Sequence, residues 1–246
     1  MNYNKDLINL ISQLSNIQQQ LVMEKNGEVF NMRANDDKLN VCFTLTAPLA
    51  YFDFPGEKIG FFNFSTFKKY FDIFDKPSKD PAISNTPKLD IELNESGEPY
   101  ILNISSSIDA RHFVNKLGMP EVLSKPQFDQ INMPTPDAEL YFSESDVNDL
   151  NSMVSLIKAD TIRFHFEGKT CTANLTSMFS GDTYSAQYDL KNDVEIPFDF
   201  IVPIRGINTL PSAAYNIQVA KRGLMRFEQL REDDIKLNIY WSRKKS

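Results

Sequence analysis

One order of helical and strand patterns occurs twice along the 246-residue chain. In each half, a segment with apolar residues at helical spacing is followed by four alternating segments, a second helical segment and three further strands. The halves share this order and not residue identity. An amphipathic helix buries one stripe and an alternating strand buries one face, so each half needs helices packed on antiparallel sheet. The sequence therefore predicts an α+β fold made of two similar domains.

The two copies place an N-terminal domain at residues 1–115 and a C-terminal domain at residues 138–246. Residues 116–137 contain four prolines and show no period, which is typical of an extended connector. A short strand with the sequence AELYFS opens the second copy.

In the first copy, Asn4 is placed to cap a helix whose apolar stripe is Leu7, Leu10, Ile11 and Leu14. Asn26-Gly27 predicts a hairpin turn between the first two strands, and Pro55-Gly56 interrupts the fourth. The second helix presents a stripe of Phe64, Phe67, Phe71 and Phe74. The last three strands bury Leu89/Ile91/Leu93 and Tyr100/Leu102/Ile104, and end at Phe113.

In the second copy, Ser145 is predicted to cap a helix whose stripe is Val147, Leu150, Val154 and Ile157. Four separate strands are expected next, with apolar positions Ile162/Phe164/Phe166, Cys171/Ala173/Leu175, Tyr184/Ala186/Tyr188/Leu190 and Ile196/Phe198/Phe200. A short fourth helix at residues 203–210 and three final strands complete the repeat.

Composition favours an intracellular protein without bulk affinity for nucleic acid. The net charge is −7, spread evenly over both halves, so any nucleic-acid surface must be local. No apolar run is long enough for a membrane span, and the N-terminus lacks a secretory signal. We therefore expect a cytoplasmic location, with Cys42 and Cys171 as reduced thiols.

The sequence contains no motif that indicates an enzyme. Phosphate loops, dinucleotide fingerprints and nucleophile elbows are missing. The two histidines, His112 and His165, fit exposed strand positions, and with the cysteines they lack the short spacings of a metal site. We predict a non-enzyme without metal or cofactor.

Two stretches resemble the DNA sliding clamps of the T-even bacteriophage type. The first is the opening amphipathic helix that begins Lys5-Asp6, followed by a glycine-containing hairpin. The second carries the pattern of that family's last domain: Pro211-Ser212, Tyr215, Ala220-Lys221-Arg222-Gly223 and Phe227-Glu228. The proline-rich connector and Phe-rich second helix depart from the pattern, as in a clamp of a distantly related phage.

The resemblance implies a head-to-tail homotrimer that encircles duplex DNA and tethers the replicative polymerase, with helices lining the hole and sheets outside. It places Lys5, Lys68 and Lys69 beside passing phosphates without fixed partners. The wider set of expected DNA-binding residues adds Lys158, Arg205, Lys221 and Arg222. The alternative explanation is that these cations are only solvated, on helix faces or, for Lys221 and Arg222, at the tip of a hairpin.

The resemblance also implies that tails of the polymerase and the clamp loader bind along the connector. Its apolar residues are Leu117, Met119, Val122, Leu123, Phe128, Ile131 and Met133. These side chains either form a peptide groove or pack the connector down. Strand edges near residues 108–113 and 184–190 are expected to join the subunits. The alternatives to a clamp are a β-rich phage tail or baseplate protein and a small enzyme.

Overall fold

A computed structural model describes residues 2–75, 86–106, 110–123, 126, 131–203 and 210–243. They form three α-helices: α1 (Lys5–Leu14), α2 (Phe64–Phe74) and α3 (Glu144–Ile157). The strands of the first half are β1 (Leu21–Asn26), β2 (Val29–Asn35), β3 (Val41–Pro48), β4 (Lys58–Phe61), β5 (Lys88–Leu93), β6 (Pro99–Ser105) and β7 (His112–Lys116). Those of the second half are β8 (Ala138–Phe142), β9 (Thr161–Thr176), β10 (Thr183–Pro203), β11 (Tyr215–Ala220), β12 (Leu224–Gln229) and β13 (Lys236–Ser242).

Contacts divide the chain into two compact units. Unit 1 contains Met1–Ala34 and Leu45–Pro126, and unit 2 contains Asn35–Thr44 and Gln127–Ser246. Unit 1 has strands in the order β4-β1-β2-β3 and a separate sheet β5-β6-β7. Unit 2 has the order β13-β12-β11-β8-β10-β9. None of the helices in the described part is long and apolar enough to cross a membrane.

Unit 1 follows the sequence pattern closely. Asn4 caps α1 by accepting a hydrogen bond from the Leu7 amide at 3.0 Å, and the predicted stripe is buried. All four phenylalanines of α2 are buried; Phe64 packs edge-to-face on Phe67, and Phe67 is tilted against Phe71. The fourth strand is shorter than predicted, because a 3₁₀ turn at Leu49–Tyr51 precedes it.

Three predictions of local structure are wrong. Ser143 and not Ser145 caps α3, because only Ser143 has an aspartate three residues later, and Asp146 completes a capping box. The four strands expected after α3 are two long strands, because alternation continues through Gly168 and through the irregular register between Asp189 and Phe198. Leu93 and Tyr100, two of the positions expected to be buried, are exposed, since β5 ends at Leu93 and its register with β6 is irregular there. The predicted helix at 203–210 falls mainly on residues outside the described part.

Unit 2 buries its core between α3 and the sheet. Val147, Leu150 and Val154 of α3 are buried, and Ile157 is half-buried. Trp241 packs on Phe227 at 4.2 Å between ring centroids, and Phe164 lies next to it. The final three strands pair as an antiparallel meander, as predicted. Both cysteines are free thiols.

Candidate DNA, subunit and partner interfaces

Helices α1 and α2 of unit 1 lie antiparallel and are joined at both ends. The Ser15 and Ser65 hydroxyls are 2.7 Å apart at one end. At the other end, the Lys5 ammonium lies 2.5 Å from the Asp75 carboxylate. Away from the core, α1 exposes Lys5, Asp6, Asn9 and Gln13, and the residue that follows its C-cap, Asn16, is exposed as well. The two helices therefore present one continuous polar face.

This helix face is neutral and its lysines are mostly paired, which corrects the prediction of free cations. Lys68 forms an ion pair with Asp72 one turn along α2, and only 16% of its side chain is exposed. Lys5 is half-exposed and paired, while Lys69 is exposed. The face and its ends carry three lysines and three aspartates: Lys5, Lys68 and Lys69 against Asp6, Asp72 and Asp75. A neutral face gives few counterion-releasing contacts with DNA.

The helix of unit 2 offers less positive charge. Lys158 is exposed at the C-cap of α3, where it adopts the left-handed conformation with φ 49°. A cation is favourable at a helix C-terminus, so its position has a structural explanation. The helix also carries Glu144, Asp146 and Asp149. Arg205 lies outside the described residues.

The tip of the β11–β12 hairpin holds Lys221 and Arg222, both exposed. Asp137 accepts a hydrogen bond from the Lys221 amide at 2.9 Å and lies 3.3 Å from its ammonium. The tip is therefore fixed to the start of β8. Ser212, at the opposite end of β11, contacts the first turn of α3 through Glu144 and Asn148. Lys221 and Arg222 thus lie at the end of the sheet away from where α3 begins.

The connector has a buried anchor and an exposed turn. Leu117 and Leu123 are buried in unit 1, and the Gly118 amide donates to the Gly60 carbonyl at 2.9 Å. Between them, Met119 and Val122 are 52% and 67% exposed, on a turn closed by a hydrogen bond from Val122 to Met119. In unit 2, Ile131 and Met133 are half-buried. Phe128 lies outside the described residues.

Unit 1 has an unpaired strand edge at β7. In the described part, β7 pairs only with β6, and Phe113 stacks on Tyr70 of α2. Val114 points away from that contact and is 45% exposed, and Ile73 of α2 is 43% exposed. Ile73 lies one turn after Tyr70, so both are on the helix side nearest β7. The predicted edge at 108–113 is shifted, since the strand is His112–Lys116 and residues 107–109 are not described.

Unit 2 has a matching free edge in the first part of β10. Residues 183–189 pair with β9 on one side. On the other side β8 pairs with β10 at Leu190, opposite Leu140, and its contacts extend from Asn192 to Tyr188, so the open part of the edge is residues 183–187. Near this segment, Phe142 packs on Tyr188, whose pKa is raised by burial and by Asp146 of α3. Leu156 of α3 is 73% exposed. The predicted segment 184–190 is therefore open only over residues 184–187, because β8 lies beside its last three residues.

The turn that precedes this edge exposes two large apolar side chains, Met178 and Phe179, to 83% and 96%. Its backbone is ordered by hydrogen bonds from Met178 to Asp160, from Gly181 to Ser177 and from Ser177 to Asp182. Sequence reasoning missed these residues and Ile73. The available signal was two bulky apolar residues among Ser, Gly and Asp in a turn, and an isoleucine off the Phe stripe.

Polar groups suited to catalysis do not converge in the described part of the chain. Asp199 on β10 lies 2.6 Å from the Arg163 guanidinium and 2.8 Å from His165 Nδ1, and the hydrogen bond from Arg163 lowers the pKa of Asp199. This cluster lies on the exposed sheet face. An open depression of about 750 Å³ in unit 1 has Tyr3, Lys5, Lys88 and Asp90 as its ionisable lining. A single carboxylate there provides no acid–base pair.

Comparison with known proteins identifies the fold. No protein-family model matches the chain, and no curated protein matches its sequence. The PCNA of A. fulgidus, in a structure with the C-terminal region of FEN-1 bound, is 11% identical with a TM-score of 0.70, covering 99% of this chain and 97% of that one. The PCNA of Entamoeba histolytica is 12% identical with a TM-score of 0.71, covering 97% and 95%. The PCNA2–PCNA3 complex of Sulfolobus tokodaii is 15% identical with a TM-score of 0.70, covering 99% and 98%. The chain therefore has the α+β fold of the PCNA-type sliding clamps, as its element order predicted.

Proposed function

We propose that the protein is a DNA sliding clamp: a homotrimer that closes head to tail around duplex DNA and tethers a replicative polymerase. It acts by topology and not by catalysis. The observation that carries the proposal is an open strand edge with exposed apolar side chains in each unit, β7 in unit 1 and residues 183–187 of β10 in unit 2, in a chain that has the clamp fold over nearly its full length. Two different edges give a head-to-tail contact, which closes into a ring when the rotation between subunits allows it.

The distribution of charge favours these two edges over the others. The outer strands β5 and β9 carry several charged residues, which protect a sheet margin from pairing: Lys88, Asp90, Glu92, Arg163, Glu167 and Lys169. By contrast, β7 carries only Lys116 as a permanent charge, and residues 183–187 carry none. Exposed apolar side chains accompany both open edges, with Ile73 and Val114 on one and Leu156, Met178 and Phe179 on the other. Burial of such side chains would add to the strand pairing.

The molecular mass in solution tests ring formation. We expect light scattering to give about three times the 28.2 kDa of one chain. The double substitution Ile73→Glu, Val114→Glu should yield monomers, because it places two charges on the β7 surface. Leu93→Glu, on the opposite margin of the same sheet, is the matched control and should remain trimeric. A wild-type monomer would refute closure, and an open polymer would favour a phage structural protein.

We propose that α1, α2 and α3 face the DNA through Lys5, Lys69 and Lys158. Each phosphate contact adds roughly one unit to the salt slope of binding. Lys5→Glu with Lys69→Glu should reduce polymerase processivity, most strongly at low salt, where screening is weakest. Lys169→Glu with Lys236→Glu makes the same change of charge on exposed strand positions and should have little effect. If the two pairs of substitutions reduce processivity equally, the helices do not face the DNA.

The exposed connector turn is proposed to bind partner tails, as the PCNA of A. fulgidus binds the C-terminal region of FEN-1. Met119 and Val122 are the accessible residues, while Leu117 and Leu123 hold the turn in place. The C-terminal peptide of the cognate polymerase should bind with micromolar affinity, and Met119→Ser with Val122→Ser should weaken it. No binding to the folded protein would refute this part. We also propose that the clamp is of the T-even phage type, because its opening helix and its last hairpin resemble those of that type.

A further inference from the structure

The apolar pattern of β10 is compatible with more than one register on its neighbours. Residues 190–197 lie opposite only three residues of β9, 167–169, so the pairing of the two strands is irregular there. Around this segment nearly every even-numbered residue is aliphatic or aromatic: Tyr184, Ala186, Tyr188, Leu190, Val194, Ile196, Phe198, Phe200 and Val202. Because side chains alternate with a period of two, a slip of two residues keeps each of them on its own face. Hydrophobicity alone therefore specifies the register weakly.

The exception in this series is Asn192, whose side chain takes the place of a backbone partner for β8. Its Oδ1 accepts a hydrogen bond from the Glu139 amide at 2.7 Å, and its Nδ2 donates one to the Asp137 carbonyl at 2.9 Å. These two backbone groups flank Ala138 on one side of β8. A primary amide has the donor and the acceptor of a peptide group, so Asn192 satisfies both, which an aliphatic side chain cannot do.

The contacts between β10 and β8 all follow one register, in the pairs Leu190–Leu140, Tyr188–Phe142 and Asn192–Ala138. Since β8 ends at Phe142, this register leaves residues 183–187 of β10 open. A slip of two residues would move that open edge by about 7 Å along β8. The edge would then be displaced relative to α3, which begins at Glu144 and carries the exposed Leu156.

We propose that Asn192 sets the register of β10 on β8 and thereby positions the strand edge with which a neighbouring subunit pairs. One polar residue in an apolar series selects the register in which its hydrogen bonds form. In a register slipped by two residues, Leu190 or Val194 would lie beside Ala138, and two backbone groups of β8 would lose their partner. This inference rests on the proposed ring, because the edge has a role only when a second copy pairs with it.

Disulfide trapping reports the register directly. Tyr141→Cys is combined in turn with Asp189→Cys, Gln187→Cys or Lys191→Cys and treated with a mild oxidant. With Asn192 present, the Asp189→Cys pair should form its disulfide at least about tenfold faster than the other two, because only directly opposite residues bring their Cβ atoms close enough. With Asn192→Leu, the Gln187→Cys or the Lys191→Cys pair should form at a comparable rate.

The dissociation constant of the trimer, measured by sedimentation equilibrium, reports the effect on the subunit contact. Asn192→Leu should raise it about tenfold or more. Asn192→Asp keeps an acceptor for the Glu139 amide but loses the donor, so it should have a smaller effect, and it serves as the test if Asn192→Leu does not fold. Asn216→Ala removes the hydrogen bond from Lys191, 2.8 Å long, and leaves Asn192 intact, so neither measurement should change.

Two outcomes would overturn the proposal. One is a disulfide pattern that stays the same in Asn192→Leu and Asn192→Asp, because another feature would then set the register. The other is a changed pattern with an unchanged dissociation constant, which would leave Asn192 without influence on the subunit contact. A monomeric wild-type protein would instead refute the ring, and the disulfide pattern would still decide whether Asn192 sets the register.

Discussion

Gly60 and Gly118 mark the point where the connector joins the sheet of unit 1, and alanine at each position should have a different cost. A Cβ added at Gly60 would lie 2.4 Å from the Gly118 carbonyl oxygen and 2.6 Å from Leu123 Cδ1. The backbone oxygen has no rotamer to adopt, so the connector must move by about 1 Å to restore normal contact. At Gly118 the three nearest atoms all belong to the Leu123 side chain, which can rotate.

These contacts set the expected magnitudes. Gly60→Ala breaks the 2.9 Å hydrogen bond from Gly118 to Gly60 and overpacks Leu123. It should lower the free energy of unfolding by about 2–4 kcal/mol. Gly118→Ala should cost about 1–2 kcal/mol. In a Leu123→Ala background, Gly118→Ala should become nearly neutral, while Gly60→Ala should still cost about 2 kcal/mol.

Urea denaturation gives the four free energies of each cycle, and hydrogen exchange at the Gly118 amide reports the local opening. Exchange there should accelerate in Gly60→Ala before any global change, because the Gly60 carbonyl is its acceptor. Equal costs for the two glycine substitutions in the Leu123→Ala background would refute the reasoning. So would a Gly60→Ala protein with unchanged exchange at Gly118.

Three further predictions concern unit 2 and the thiols. Ser143→Ala should cost about 1 kcal/mol by removing the capping box, whereas Ser145→Ala should change stability by less than about 0.5 kcal/mol, both measured by urea denaturation. The Asp233 pKa lies below its ordinary value of 3.8 because Arg231 donates two hydrogen bonds to its carboxylate. That pair therefore stabilises the protein above the ordinary pKa and is lost as pH falls through the lowered one, so Asp233→Asn should reduce the loss of stability on acidification. Burial raises the pKa of Cys42 and Cys171 to about 12, so both should react with Ellman's reagent at pH 8 only after unfolding.

The fold was predictable because its signals are local. The Leu7 and Phe64 stripes, the Asn4 cap and the Asn26-Gly27 turn each depend on residues within one or two turns of chain. The errors arose where the same local pattern is compatible with two outcomes. Alternation on both sides of Gly168 fits two strands or one strand with an irregularity, and only pairing with β10 decides between them. Ser143 and Ser145 both fit a cap until the partner of Asp146 is known.

The candidate interfaces were less predictable, because exposure and pairing depend on residues distant in sequence. Lysines at helical spacing indicated a basic face, but Asp75 pairs with Lys5 across two helices and neutralises it. Val122 and Leu123 are adjacent apolar residues of the connector, yet Val122 is exposed and Leu123 is buried. Leu123 is buried because it packs against Gly60 and Gly118. The open edge is limited to residues 183–187, because β8 pairs with β10 at Leu190 and its Phe142 packs on Tyr188.

The charge of the α1–α2 face is consistent with the proposed sliding along DNA. A ring that holds DNA by closure needs weak contacts, because each strong phosphate contact would resist sliding. The neutral α1–α2 face, in which Lys5 and Lys68 are paired to aspartates, satisfies that condition. Lysines that are already paired attract phosphates weakly, so the proposed ring would move along DNA instead of gripping it.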